Sequence, residues 1–339
     1  ILVGIRREIA TSNEAALKYL LLGAFSTGFL LYGISLLYGA TGSTLVPNII
    51  DEIKLNGANN PLVLSGISLV VVAMSFKIAI VPFHMWTPDV YSGAPTPVSG
   101  FLSAAAKAAG FAVFIRVLIT VIPLVGSKWE NTLWILAVLT MTVGNMMALQ
   151  QREVKRMLAY SSIAHAGYVL VAVAVGSASA ISGIIFYSCA YAFMGIGAFG
   201  ILTIRDAGRV PITFDDFAGY GKRNPLLAFL MSIFVFSLVG LPLTGGFIGK
   251  LQIFSVALKE GWIWITVIGI LNSALSVYYY LRIVMFMYMR EGALPEGTIS
   301  SKNKTPTFAL TGLIGAAMVI LYLGIFPDSI LVLASMSIF

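Results

Sequence analysis

The chain has 339 residues, of which 58% are hydrophobic and 10% charged, with a mean hydropathy of +0.93 and a formal net charge of +7. Soluble globular domains carry about 25% charge, so this composition excludes a soluble protein and indicates an integral membrane protein. The single cysteine, Cys189, frames neither a disulfide nor an iron–sulfur cluster, and no nucleotide loop, haem attachment or zinc spacing occurs, so any redox chemistry belongs to a partner.

The chain opens at Ile1 in an apolar stretch without a methionine or a signal peptide. ILVGI reads as a helix end, at 1–10, whose body is missing, as in an N-terminally truncated protein. Apolar stretches of about 20 residues cross a bilayer. Nine follow, at about 13–40, 61–86, 99–122, 131–150, 157–176, 182–203, 225–256, 263–288 and 306–325, in a single transmembrane domain over 1–339. The apolar tail 327–339 reads as a continuation of the last span beyond a Pro327 kink. Alternating the connections puts Arg6, Arg7, Arg152, Lys155, Arg156, Arg205, Arg209, Lys222, Arg223, Arg290, Lys302 and Lys304 on one side. Lys54, Lys128 and Lys259 fall on the other. This asymmetry assigns the first group to the cytoplasm, so the positive net charge reports topology rather than nucleic-acid binding. Arg116 and Arg282 lie near span ends, where long side chains snorkel.

Small residues in SAAAKAAGFA and FMGIGAFGI let helices approach closely. Packing does not account for Lys107 inside the first of these runs, nor for Lys77 and Lys250 in two other spans. A charge near the bilayer centre costs at least about 2.5 kcal/mol, so intramembrane lysines point to function. Two of the three lie beside helix breakers. Pro82 follows Lys77, and Pro242 with Gly245 and Gly246 precedes Lys250. Proline removes a helical hydrogen bond, and broken helices in membranes line protein or water. The two broken spans are five helices apart and run in opposite directions, as in an inverted repeat with ion sites near the breaks.

FKIAIVPFHMWTPDVYSGAPTPVSGFLSAAAKAAGF, REVKRMLAYSSIAHAGYVL and GLPLTGGFIGKLQIF closely resemble the antiporter-like membrane subunits of respiratory complex I, NADH-quinone oxidoreductase. Within that group the chain resembles the subunit N family, because the related subunit M family carries a glutamate where Lys250 stands. The resemblance covers essentially the whole chain. It implies an all-α polytopic membrane protein, an antiporter-like helix bundle with two discontinuous helices and an inverted repeat. It matches Lys77 to the family's lysine in the first broken helix, Lys107 to the connecting lysine, and Lys250 to the lysine in the second broken helix. It also places a glutamate partner of Lys77 upstream of Ile1.

Glu14 is not that partner, since it occupies the cytoplasmic start of its helix, where an acid is favoured. Glu14 and Lys18 have the spacing of a helical ion pair; a structural pair and a cytoplasmic proton-uptake point both remain open. His165 suits either a proton relay or a satisfied polar packing role. His84, just past Pro82, reads as a helix-end or interface residue. Ser161, Ser162, Tyr168 and Thr244 offer hydroxyl or water links.

The expected function is proton translocation along Lys77, Lys107 and Lys250, a row bridged by water. Desolvation disfavours the charged ammonium and a nearby carboxylate favours it, so a lysine balanced between the two changes protonation when a neighbouring charge moves. The driving redox chemistry is expected in partner subunits that hold FMN, iron–sulfur clusters and quinone, with no cofactor and no metal in this chain. The expected partners are other membrane-arm subunits and lipid, and the expected location is a bacterial plasma (inner) membrane. Two other readings stand beside this one: a subunit of a multi-subunit cation/proton antiporter or membrane hydrogenase complex, and a scaffold that translocates nothing.

Overall fold

The computed structural model describes residues 1–56, 60–125, 127–206, 211–291 and 306–336. Arg209, Lys302, Lys304 and the tail end 337–339 lie outside the described residues, as does the side chain of Lys128. The helices are α1 (Ala10–Thr41), α2 (Val46–Asn56), α3 (Pro61–Ile78), α4 (Trp86–Gly93) and α5 (Thr96–Phe101). After a π-helical turn at Leu102–Ala106 come α6 (Lys107–Val125), α7 (Ser127–Leu149), α8 (Val154–Val175) and α9 (Ala178–Arg205). The remainder are α10 (Tyr220–Arg223), α11 (Pro225–Val239), α12 (Gly245–Lys259), α13 (Ile263–Met289), α14 (Thr307–Ile325) and α15 (Asp328–Met336). Among the described residues, eight helices are individually long and apolar enough to cross a membrane. The chain is thus a polytopic helical membrane protein.

Several expectations need correction. Residues 1–9 form turns rather than the end of a helix, with Val3 buried and its carbonyl accepting from Ser12 at 2.8 Å. The span expected at 61–86 ends at Ile78, where Ala79 takes a left-handed φ of 62°. Pro82 brings no amide hydrogen to a ladder, and helix resumes only at Trp86, whose indole N–H donates 2.9 Å to the Phe76 carbonyl. The stretch at 225–256, read from the sequence as interrupted at Pro242, Gly245 and Gly246, consists of two helices, α11 and α12, separated by residues 240–244. The tail is a separate helix, α15. Helix α2, outside every expected span, buries Ile53 while Asp51 and Lys54 stay exposed and pair at 3.9 Å.

Helix α8 is the centre of the bundle: 94% of its most apolar window is buried. It packs against α7, α4, α12 and α9. Close approach to α7 rests on two glycines. A Cβ on Gly144 would lie 2.6 Å from the Ala164 nitrogen, and one on Gly167 2.6 Å from the Met141 nitrogen. By contrast α1 buries only Ser12, Ala15 and Gly33, and leaves the rest of its apolar surface for lipid or neighbouring protein.

At the end rich in basic residues, polar contacts bind α4 to the bundle. Lys155 donates to the carbonyls of Ser92 (2.9 Å) and Ala94 (2.8 Å), closing the C-terminus of α4. Ser92 donates to Glu153 at 2.6 Å, and Thr96 to Asp206 at 2.6 Å. Asp89 receives Lys18 at 2.8 Å and Arg156 at 3.0 Å, joining α4 to α1 and α8.

Gly167→Ala is expected to force α7 and α8 apart and to destabilise the solubilised protein by about 1–3 kcal/mol, the usual cost of overpacking. Gly312→Ala, which meets nothing within 4 Å, serves as the neutral control in the same denaturation titration.

Candidate functional site: buried lysines around helix α8

Lys107 stands directly after the π-helical turn, the kind of local widening that often marks functional positions. Its side chain is 3% exposed, and Nζ donates to the Ser162 carbonyl at 2.6 Å and to Ser162 Oγ at 2.5 Å. A cavity of about 20 Å³ adjoins it, with Ser162, His165, Tyr187 and Tyr191 on its wall. A space of ~10–15 Å³ suffices for one water, so this cavity accommodates a single molecule between Lys107 and His165.

His165 is buried on α8 and bridges two phenols. Nδ1 bonds the Tyr187 hydroxyl, and Nε2 lies 2.9 Å from that of Tyr280. Tyr280 in turn bonds Ser161, the neighbour of the Ser162 that holds Lys107. The imidazole is therefore a hydrogen-bonded link between helices, with both nitrogens engaged.

Lys250 occupies the second break. Its Nζ donates to the carbonyls of Leu238 (3.0 Å) and Val239 (2.8 Å), the last of α11, and to Ser273 Oγ at 2.9 Å on α13. A cation at a helix C-terminus satisfies orphan carbonyls and complements the dipole. The Tyr168 ring lies 5.1 Å from the same Nζ. Tyr168 accepts from Asn145 at 3.2 Å, and Asn145 also binds Asn272 and Tyr279 at 3.1 and 2.8 Å. A polar network buried among α7, α8 and α13 thus backs Lys250.

Lys77 departs from its expected burial. It is exposed, on the wall of an open groove of about 740 Å³ that α1, α3 and α6 line, and its stem lies against Gly110. The reason is geometric: α1 and α6 flank that face of α3 without covering it. Lys107 and Lys250 share the core around α8, whereas Lys77 lines the groove. Glu14 and Lys18 pair at 2.6 Å, and Lys18 also reaches Asp89, so the pair belongs to a half-exposed ion cluster rather than to the buried core. His84 sits in the 79–85 connection, half-buried. Thr244 caps α12 by accepting from the Phe247 amide at 3.4 Å. The phenols Tyr187, Tyr191 and Tyr280, with Asn145, Asn272 and Ser273, escaped the sequence reading. Tyr187 and Tyr191 are four apart and share one face of α9, a signal the sequence does contain.

The family profile described as NADH:quinone oxidoreductase/Mrp antiporter, transmembrane, matches residues 1–276. The chain belongs to this family. A relative from Trichlorobacter lovleyi, called NADH-quinone oxidoreductase subunit N, is 51% identical over 100% of this chain and 69% of its own length. A chain of respiratory complex I from Thermus thermophilus with bound aureothin is 35% identical, with a TM-score of 0.81 over 96% of this chain and 69% of that one. A chain of the membrane-bound sulfane sulfur reductase, an archaeal respiratory membrane complex, is 26% identical with a TM-score of 0.84, over 98% of this chain and 67% of that one.

Gly240 has φ 87°, and a Cβ there would lie 3.1 Å from Cδ of Lys250. Gly240→Ala is expected to lower stability by about 1–3 kcal/mol through backbone strain and to displace the ammonium. Gly176→Ala, also at positive φ but with its nearest neighbour 3.8 Å away, carries the backbone strain alone. The difference between the two melting temperatures measures the Lys250 contact.

Proposed function

We propose that this chain is the proton-translocating, non-redox membrane subunit of an NADH-quinone oxidoreductase in a bacterial plasma membrane. It works beside other membrane-arm subunits, and FMN, iron–sulfur clusters and quinone reside in partner subunits. The observation that carries the reading is the pair of buried ammonium groups, Lys107 and Lys250, near the imidazole of His165, one across a small cavity and one across the ring of Tyr168, in a chain of this family.

The geometry supports a sequence of proton transfers. Ser162 occupies two of the three Lys107 N–H groups, which leaves one for the one-water cavity. A proton leaving Lys107 passes through that water to the His165–Tyr187–Tyr280 group, where each hydroxyl accepts one proton as it donates another. Lys250, whose ammonium lies 5.1 Å from the Tyr168 ring that packs edge-on against His165, receives it. Because Lys250 holds the end of α11, its loss of a proton leaves two N–H groups for three acceptors, which weakens its hold on the carbonyls of Leu238 and Val239 and loosens the 240–244 connection. Charge on this lysine and geometry of the break are therefore coupled. Lys77 completes the row at the groove, and a charge change in a neighbouring subunit supplies the bias.

Lys250→Ala and Lys107→Ala, introduced into the assembled complex in vesicles, are expected to lower NADH-driven proton translocation at least tenfold, and Lys77→Ala to lower it too. Pumping at the parent rate in both the Lys77→Ala and Lys250→Ala complexes overturns the reading. Mass spectrometry of the gently purified assembly tests the parent complex: flavin and iron–sulfur subunits support it, and antiporter-type subunits alone move the assignment to cation/proton exchange.

A further inference from the structure

Helix α12 carries Lys250 and Phe254 one turn apart on the same face, and both meet the ring of Tyr168 on α8. Nζ of Lys250 stands over that ring, 5.1 Å from its centroid, and Phe254 packs edge-on against it at 5.9 Å. The His165 ring, three residues earlier on α8, lies 5.5 Å from Tyr168 at an interplanar angle of 89°. Tyr168 is fully buried and Lys250 is 5% exposed, so bulk water does not screen the contact between them.

The hydrogen-bond partners of this ammonium, the Leu238 and Val239 carbonyls and Ser273 Oγ, carry no formal charge. The face of Tyr168 is a further electron-rich group, and it differs from them in kind. A carbonyl or hydroxyl oxygen accepts an N–H from the ammonium or from the neutral amine. A ring face attracts the cation through its quadrupole, most strongly where water is excluded. The contact therefore distinguishes the two protonation states of Lys250. The place of the ring is fixed from its other end, where the hydroxyl accepts from Asn145 Nδ2 at 3.2 Å. Asn145 is itself buried on α7, donating to Asn272 at 3.1 Å and accepting from Tyr279 at 2.8 Å, both on α13. A leucine would fill the space between α8 and α12 but would supply neither a face for the cation nor a hydroxyl for Asn145.

We propose that Tyr168 is a positioning residue for proton transfer at Lys250: its ring face holds the ammonium at the end of α11 and lets go of the neutral amine, while Asn145 keeps the ring in place from α7. A proton gained by Lys250 draws Nζ to the ring and to the α11 carbonyls together, and a proton lost removes the first of these attractions outright. Tyr168 acts here through the face of its ring rather than as a hydroxyl link in a chain. The proposal rests on the reading of Lys250 as a translocating group.

The test uses the whole complex in vesicles and reads protons moved per NADH oxidised. Tyr168→Phe is compared with mono-, di- and trifluorinated phenylalanine inserted at the same position. Fluorine withdraws negative charge from the ring face and changes its size little, so a role in packing alone is insensitive to the series. Translocation is expected to fall stepwise with each fluorine, by about fivefold in all relative to Tyr168→Phe. Tyr168→Leu, which has no ring, is expected to lower it about tenfold relative to the parent. Tyr168→Phe, which keeps the face and loses the Asn145 bond, is expected to lower it only about twofold. A flat fluorine series overturns the proposal, whatever the rate of Tyr168→Phe itself. If the phenylalanine complexes do not assemble or translocate too slowly to rank, ring-difluorinated tyrosine, which keeps the hydroxyl, takes their place. A loss of about threefold is then expected, and parent-like translocation overturns the proposal. Parent-like translocation by Lys250→Ala removes the underlying reading instead, so the two failures are distinguishable.

Discussion

The ammonium of Lys250 and the last carbonyls of α11 solve each other's problem. A helix that stops inside a membrane leaves carbonyls without partners, and a lysine inside a membrane lacks water. Joining Leu238, Val239 and Ser273 through one Nζ satisfies all of them. The same constraint shapes the rest of the core. Lys107 is solvated by the backbone and hydroxyl of Ser162, and Lys155 by the carbonyls that end α4. The buried lysines described are thus held by carbonyl and hydroxyl oxygens of the bundle.

Helix α8 supplies the frame on which these contacts meet. Its small residues allow α7 to approach within backbone contact at Gly144 and Gly167. That closeness sets Ser161, Ser162, His165 and Tyr168 at the meeting point of the surrounding helices. Hydroxyl, imidazole and phenol groups then form short-range links across helices that are far apart in sequence. The connection between α3 and α4 performs a related service on the other side. It turns the chain so that Thr87 and Tyr91 face inward while Asp89 stays at the ion cluster.

Membership of the NADH:quinone oxidoreductase/Mrp antiporter family agrees with this arrangement. Complexes in that family share a bundle, and this chain's buried groups are compatible with proton movement. The groove beside Lys77 and the largely uncovered α1 give the molecule broad apolar surfaces of the kind a membrane protein presents to lipid or to neighbouring subunits.

The sequence by itself determined the membrane class, most of the long apolar helices and the presence of lysines within three apolar helices. Hydropathy over about 20 residues and the cost of a buried charge are local properties, readable from composition along the chain. Gly, Pro and lysine in proximity also located the two interruptions. Partnership was different. That Lys107 meets Ser162, that His165 joins Tyr187 to Tyr280, and that Asn145 meets Asn272 depend on contacts between residues 22 to 127 positions apart. Burial was likewise decided in three dimensions: the same lysine signal gave an enclosed Lys107 and an exposed Lys77, because only one of the two faces is covered by another helix. The π-helical turn before Lys107 and the left-handed Ala79 are products of packing, since LSAAA and KIAIV carry no residue that demands either conformation.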